Sequence, residues 1–508
     1  MALSGAELAH AAPLEWLPVQ SPFYEELEIL RTEGLLDTTA SLETRPMARI
    51  EVAQLVAYAL AHHADRADDP GLVRLHREFS RELVRMGFEA APRYTPPLFE
   101  RRRDKEGEPP QAFRVIPYVD GAFERRSDGF ARLADHSRAG LRLGIEVGNL
   151  VLYQDLFAGR VDGGRTFADP LIEHTDFIHY TEDTYLSVAT PWLDLSLGRM
   201  RSGWGPGHEG SLLWSATAPP VTSLIWSKSL FDGRVRGTAL SGDVDAGSQA
   251  RIAAHRLDVE VTPSLHVGLS EAARYDASQW EPLYVLSIIP FSLVQRMQAQ
   301  DHLPGAPDTV RNNVMIGADA RWRPVRGTTL YGEVLFDDLT FRKAGTPTRI
   351  GYQAGWLGSA PFLGRRLSWR GEFTRVHRYV YAVFYDRNFI HQGRPIGYPD
   401  GPDSRSLIVR GAWDWNADWR LTAAAGRLDH GEGFLGEFFD PVGPPAQGSV
   451  FAGVVEKRRF VESGARWTPR DGVAAELRWG YEWREDAAHV AGADAEGWYG
   501  RAALELRH

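Results

Sequence analysis

Apolar side chains recur at every second position through most of the chain, from about residue 111 onward. In residues 141–148 Leu, Ile and Val alternate with Arg, Glu and Gly, and residues 256–261 and 475–482 show the same period. A period of two is that of a β-strand with one apolar and one polar face. At roughly 20 residues per strand and turn, this part of the chain predicts on the order of 18 to 20 strands.

The apolar face of these strands must meet either a protein core or lipid. A soluble sandwich alternates too, but the 16 Trp and 17 Tyr cluster near the ends of predicted strands, as the interfacial belts of a membrane barrel require. Residues 366–384 read as one strand, longer than the about 5–6 residues common in globular sheets. No apolar run approaches the roughly 20 residues of a membrane helix. We therefore predict a mainly β fold, a large antiparallel outer-membrane β-barrel of about 18 strands.

The N-terminal part of the chain has a helical period instead. Pro22 and Pro70 stand where a helix-first proline is expected, Asp69 is placed to cap a helix, and apolar residues keep helical spacing through 21–90. Residues 91–110 are rich in proline and charge and show no period. The predicted organisation is a small periplasmic helical bundle over 1–95, a linker over 96–115 and a transmembrane barrel over 116–508.

The helical region also has a weaker resemblance of its own. Residues 24–60, YEELEILRTEGLLDTTASLETRPMARIEVAQLVAYAL, are similar to one S-layer homology repeat, a module that in some proteins binds cell-wall polymers. That resemblance would imply peptidoglycan or its secondary polymers as a partner. The alternative, which we favour, is a helical bundle that caps one end of the barrel.

A glycine-rich loop between two predicted strands is the first candidate for ligand binding. Residues 204–215 read WGPGHEGSLLWS, and their glycines permit a tight, irregular loop. Trp204 offers an aromatic face there and His208 a titratable ring. A polar ligand or a barrel rim would each suit such a loop.

Residues 391–403, HQGRPIGYPDGPD, form a second candidate loop. Three glycines and three prolines favour an ordered conformation, and an arginine with two aspartates suits charge-assisted hydrogen bonds to sugar hydroxyls or acidic sugars. The alternative is loop architecture in which Arg394 pairs with an aspartate. The candidate residues in this loop are His391, Arg394, Tyr398, Asp400 and Asp403.

Asp337 and Asp338 are the most conspicuous acidic pair in a predicted strand. Adjacent strand residues point to opposite faces, so the two carboxylates do not form the acid pair of a glycosidase. A solvated strand end is the simplest interpretation, and a contact to polysaccharide or a cation is the alternative.

Three stretches resemble the Wzi-type capsule assembly proteins: residues 204–215, residues 331–353 and residues 372–403. The resemblance implies an outer-membrane barrel that holds capsular or other extracellular polysaccharide at the cell surface without covalent chemistry, alongside outer-membrane lipid and the polysaccharide export machinery. It does not identify the glycan. The residues then expected to face the ligand are Trp204, His208, Asp337, Asp338, His391, Arg394, Tyr398, Asp400 and Asp403.

Several other classes find no support in the sequence. A net charge of -10 gives no electrostatic reason for a nucleic-acid partner, and the absence of cysteine excludes disulfides and thiolate metal sites. No nucleotide-binding loop or hydrolase nucleophile elbow occurs, so we predict no cofactor, no metal and no catalytic residue. An outer-membrane hydrolase and a porin-like channel remain the alternative functions.

The first 13 residues bear on the location. They show neither a basic start nor an apolar segment, so no secretory signal is visible, although an outer-membrane protein requires one. Either the given chain begins after such a signal, or the barrel interpretation is wrong.

Overall fold

The protein is described from a computed structural model. The described residues are 14–39, 41–88, 96–97, 99–103, 109–127, 131–133, 137–160, 177–245, 247–300, 312–338, 348–383, 387–437 and 450–507.

Within these residues, eighteen antiparallel strands close into one barrel, which confirms the predicted fold class and strand number. Each strand pairs with its neighbours in sequence, and the last pairs with the first. In chain order the strands are β1 (Gln111–Arg126), β2 (Arg138–Val147), β3 (Leu150–Arg160), β4 (Phe177–Ala189), β5 (Asp194–Met200), β6 (Val221–Leu230), β7 (Val235–Asp243), β8 (Ala250–Thr262), β9 (Leu265–Asp276), β10 (Asn313–Val325), β11 (Thr328–Asp338), β12 (Arg349–Phe362), β13 (Arg365–Val376), β14 (Ser404–Asp414), β15 (Trp419–His430), β16 (Glu456–Arg470), β17 (Val473–Glu485) and β18 (Ala495–Arg507).

The period of two separates an outer and an inner face on every strand. Leu141 and Ile145 of β2 are exposed on the outside, whereas Arg256 of β8 points inward and is buried. Trp419 and Trp467 pair on the outer face near one end of the barrel, with ring centroids 6.0 Å apart. An apolar outer band edged by aromatic rings is what a bilayer requires of a barrel.

The two ends of the barrel differ in the length of their connections. At one end the strands are joined by two to four residues, and at the other by six or more. Gly364 and Gly472, both with φ +73°, occupy left-handed positions in two of the short turns. Because bacterial outer-membrane barrels place short turns in the periplasm, we assign the long-loop end to the cell exterior.

Four N-terminal helices pack together around a small apolar core. They are α1 (Phe23–Thr32), α2 (Arg49–His62), α3 (Pro70–Glu78) and α4 (Ser80–Arg85). Asp69 Oδ1 accepts hydrogen bonds from the backbone N–H groups of Gly71 and Leu72, which is the cap that the sequence predicts. The core includes Leu30 and Phe79, both fully buried.

The helical segment lies in the short-turn end of the barrel and is held there by buried ion pairs. Glu26 of α1 lies 2.8 Å from Arg366 of β13, and it also pairs with Arg420 of β15. Glu28, two residues further along α1, pairs with Arg370 of β13. These five side chains are at most 11 % exposed. Buried charges of this kind are tolerated only as pairs, so helix and barrel wall depend on each other.

Residues 96–115, predicted as a linker, include strand structure. Residues 99–103 form a short strand that pairs with 111–115, and β1 itself begins at Gln111. Two further α-helices in the described residues, α5 (Pro282–Leu286) and α6 (Phe291–Gln300), lie between β9 and β10. No helix in the described parts of the chain is both long and apolar enough to cross a bilayer.

The predicted long strand over 366–384 is wrong at its C-terminal end. β13 ends at Val376, and the chain then turns through Tyr379 and Tyr381, whose φ angles are +71° and +73°. Tyr379 and Tyr381 are both buried, so neither belongs to an interfacial belt. The turn carries the chain into the barrel.

A charge on the outer face should oppose membrane assembly. In the Leu143→Arg variant the new guanidinium would meet hydrocarbon, at a cost of about 2–4 kcal/mol near the bilayer midplane. We expect a smaller folded fraction in heat-modifiable migration on gels. Thr422→Arg is the matched control, because Thr422 of β15 shares the inner face with Arg420 and is exposed there. Equal folding of both variants would contradict the assignment of the faces.

Candidate binding surface in the barrel lumen

Two connections at the long-loop end fold into the barrel. We call residues 201–220, between β5 and β6, the inner loop, and residues 377–383 and 387–403, between β13 and β14, the second loop. Their side chains share one apolar core, in which Trp214 and Phe389 meet edge to face with ring centroids 6.3 Å apart. Tyr381 Oη donates to the carbonyl oxygen of Leu212 over 2.6 Å. The two loops therefore form one packed unit.

Two wall carboxylates hold the inner loop in place. Glu372 of β13 accepts hydrogen bonds from the backbone N–H groups of His208 at 2.8 Å and Glu209 at 3.0 Å. Glu333 of β11 accepts from the N–H of Leu212 at 2.9 Å. A Cβ on Gly207 would lie only 2.4 Å from Gln353 Oε1, so glycine lets the loop approach the wall this closely.

Trp204 and Tyr398, both predicted to face a ligand, are core residues in the structure. Trp204 is 2 % exposed and packs on Trp214, with ring centroids 5.6 Å apart. Tyr398 is 1 % exposed, and its hydroxyl lies 2.8 Å from Ser406 Oγ. In this conformation both rings are closed to a ligand, and they stabilise the loops instead.

Asp337, His391 and Asp403 are also buried, and each ties loops together. Asp337 accepts from the Tyr381 N–H at 2.5 Å. His391 Nδ1 accepts from the Asp245 N–H at 3.1 Å, which leaves Nε2 to donate to the Pro220 carbonyl at 3.2 Å. Asp403, at φ +57°, accepts from backbone N–H groups of the β15–β16 connection. The side chain of the remaining predicted residue in a strand, Asp338, lies outside the described residues.

His208, Asp400 and Arg394 keep accessible surface. His208 and Asp400 are exposed residues, and Arg394 is half-buried in a small hairpin. Desolvation by the surrounding protein and repulsion from the Arg370 guanidinium lower the pKa of His208 to about 4. His208 is therefore neutral at physiological pH and can both donate and accept a hydrogen bond. Desolvation raises the pKa of Asp400, against the attraction of His430.

Four further residues lie beside this accessible surface and were missed in the sequence. Glu209 forms a two-point ion pair with Arg410 of β14, at 2.6 and 2.9 Å. His430 of β15 and Arg458 of β16 lie close enough to Asp400 to act on its titration. The sequence contained a weak signal for these residues. Glu209 is next to His208, and Arg410, His430 and Arg458 are at inward positions of their strands. We call His208, Glu209, Asp400, Arg410 and His430 the lumenal surface.

Water reaches one side of the lumen and not the other. The inner loop, the second loop and the N-terminal helical segment together form what we call the plug. The plug covers inward arginines of β8 and β13, and Arg256 and Arg366 are 1 % and 4 % exposed. Inward arginines of β16 to β18 are not covered, and Arg458 and Arg501 are 39 % and 38 % exposed. The loops and helices thus pack against one wall and leave a solvated space along the other.

A cavity of about 900 Å³ lies on this solvated side. It is enclosed by the N-terminal segment and the walls of β1–β4 and β16–β18, and Arg138, Arg142, Asp155 and Glu182 are among the charged residues that line it. Among the described residues no group of three or more histidines and carboxylates is arranged to hold a metal ion.

Together, the closed barrel, its apolar outer band and its inward-folded loops define a plugged outer-membrane β-barrel. The sequence profile of the family described as capsule assembly protein Wzi matches residues 153–496, more than half of the chain. The chain therefore belongs to the Wzi capsule assembly family, as the three sequence stretches indicated.

One solved structure has the same fold over nearly the whole chain. The chain is similar to Wzi of Escherichia coli, described as an outer-membrane protein involved in group 1 capsule assembly and a carbohydrate-binding β-barrel. The TM-score is 0.63 at 14% identity, with 98% of this chain and 99% of that chain covered. The outer-membrane proteins OpdK and OprD of Pseudomonas aeruginosa match with TM-scores of 0.44 and 0.42, identities of 12% and 10%, 78% of this chain covered, and 98% and 95% of theirs. No curated protein sequence matches the chain significantly.

Removal of the Glu372 carboxylate should loosen the inner loop. In Glu372→Ala the N–H groups of His208 and Glu209 lose their acceptor, and an unsatisfied buried polar group costs about 1–3 kcal/mol. We expect faster cleavage within 201–220 by added protease, and faster hydrogen exchange there, while the barrel still migrates as folded. Glu496→Gln, at an exposed site on β18, is the control. Unchanged protection of the loop in Glu372→Ala would contradict the anchoring role.

Proposed function

We propose that the protein attaches or organises capsular or other extracellular polysaccharide at the cell surface, without making or breaking covalent bonds. The observation that carries the proposal is the lumenal surface, an accessible set of charged and imidazole groups on the packed inner and second loops and on the adjoining strands β14 and β15. The similarity to a barrel described as carbohydrate-binding supports the ligand class.

The chemistry of the lumenal surface suits sugars. The Glu209–Arg410 pair and the Asp400 carboxylate offer fixed acceptors and donors for hydroxyl groups, and charge-assisted hydrogen bonds of this kind are the stronger ones. The neutral His208 ring adds a donor and an acceptor. The Glu372 anchor fixes the loop beforehand, so little order is lost when a ligand binds.

The direction of approach follows from the plug. The helical segment, which we propose lies on the periplasmic side, occupies the short-turn end through the Glu26 and Glu28 ion pairs. A polymer outside the cell would therefore reach the lumenal surface from the long-loop end. Trp204, Tyr398 and Asp403 would contribute indirectly, because they hold the loops that present His208 and Asp400.

The test compares two double variants in polysaccharide binding. We expect His208→Ala/Asp400→Asn to weaken binding of purified host capsular polysaccharide at least tenfold, about 1.4 kcal/mol, measured by calorimetry with the full chain in detergent. The control, His62→Ala/Asp232→Asn, makes the same chemical changes at exposed sites of α2 and a short turn and should bind like the wild type. Both should keep heat-modifiable migration.

Three results would overturn the proposal. Equal binding by the two double variants would place the ligand elsewhere. Shortened polysaccharide chains after incubation with the wild type would show a hydrolase. A large, steady conductance in planar bilayers, with no polysaccharide binding, would show a porin-like channel.

A further inference from the structure

A patch of charged residues faces outward at the long-loop ends of β14–β17. We call it the outer rim patch. It comprises Arg405, Arg427, Asp429, Lys457, Arg459 and Glu485. These residues occupy outward positions of their strands. The neighbouring outward positions, nearer the middle of the barrel wall, include the exposed apolar residues Leu407, Val409 and Val461. The patch therefore lies on the lipid-facing side of the barrel and not in the lumen.

Strand register arranges the patch in two rows. The outermost row across β14–β17 is Arg405, Asp429, Lys457 and Glu485, with alternating charge. In the next row Arg427 stands directly opposite Arg459. Like charges directly opposite each other in an antiparallel pair are destabilising, so folding alone gives no reason for this pair.

The acids of the patch neutralise only part of its charge. Asp429 accepts from Arg427 Nε at 2.8 Å and also pairs with Arg405. Glu485 lies 3.2 Å from Lys457 Nζ and 3.0 Å from Arg459. Two carboxylates thus serve four cations. The Arg427 and Arg459 side chains are 45 % and 51 % exposed, which leaves donors directed outward.

The height of the patch matches the lipid headgroups. Arg427 is eight residues along β15 from Trp419 of the aromatic pair at the short-turn end, or about 26 Å along the strand. With a strand tilt of about 35–45° this is roughly 20 Å along the membrane normal, and the outermost row lies roughly 5 Å higher. The apolar band of such barrels is about 25 Å tall, so the patch reaches the outer headgroup layer.

We propose that the outer rim patch binds the phosphate of a phosphorylated lipid headgroup in the outer leaflet. Guanidinium groups bind phosphate through two parallel N–H···O bonds, and Arg427 and Arg459 lie side by side for such a contact. The phosphate would supply the negative charge needed to balance the cations that Asp429 and Glu485 leave unneutralised. This site is separate from the lumenal surface, and its ligand is a lipid of the surrounding membrane.

The experiment uses the full chain in detergent and native mass spectrometry. Bisphosphorylated lipid A is the probe, and the same lipid without phosphate and free inorganic phosphate are the comparison ligands. The wild type should retain the phosphorylated lipid and should not retain the dephosphorylated form. Retention by phosphate alone would show an anion site that does not require lipid, and equal retention of both lipid forms would show contact with acyl chains only; each would overturn the proposal.

Variants locate the site. Arg427→Ala/Arg459→Ala should lower retention of the phosphorylated lipid at least tenfold. Arg326→Ala/Arg365→Ala removes the same charge from exposed positions at the short-turn end and should retain it as the wild type does. Equal retention by the two double variants would place the lipid elsewhere. If the first variant folds poorly, Arg427→Lys/Arg459→Lys keeps the charge and removes the two-point contact, and it should also lose retention.

Discussion

The barrel depends on its inward-facing charges finding partners. A strand that turns its apolar side to lipid must turn its polar side to the lumen, and most inward side chains along β8 and β10–β13 are buried. There the arginines are matched by carboxylates of the helical segment, as in Arg366 with Glu26 and Arg370 with Glu28. Removing one partner from such a pair costs about 3–5 kcal/mol, because the other charge stays buried. The helices are therefore as much a part of the barrel interior as the wall is.

The same rule explains where a ligand has room. Where helices and loops cover the wall, carboxylates such as Glu372 and Glu333 accept hydrogen bonds from backbone N–H groups of the inner loop. Where they do not, Arg458 and Arg501 remain in contact with water. His208 and Asp400 lie on accessible surface of the plug, on loops made rigid by buried tryptophans and tyrosines. Rigid support lowers the ordering cost of binding, which favours the polysaccharide contact that we propose for this surface.

The sequence was most informative where structure is local. Period-two alternation predicted the strands and their number, and Asp69 with Pro70 predicted a helix start, because both signals act within a few residues. It was least informative in the loops. Trp204, Tyr398 and Asp403 are buried because their loops turn into the barrel. The groups that hold the loops there are distant in the chain: Glu372, which binds the backbone of His208, is 164 residues away from it. Arg410 was missed because its partner is also distant in the chain. Many strands carry an inward arginine, and only the folded structure shows that this one pairs with Glu209.

The most direct test of this account is a disulfide between helix and wall. Thr32 Oγ1 of α1 and Thr329 Oγ1 of β11 lie 2.7 Å apart and are buried, and the chain has no native cysteine, so Thr32→Cys/Thr329→Cys introduces one pair of thiols at two side chains that are already in contact. We predict near-complete oxidation in native outer membranes, seen as a changed gel mobility that reductant reverses, with neither single variant changing. Two free thiols, both labelled by a maleimide, would show that the helical segment does not occupy the barrel and would contradict the account.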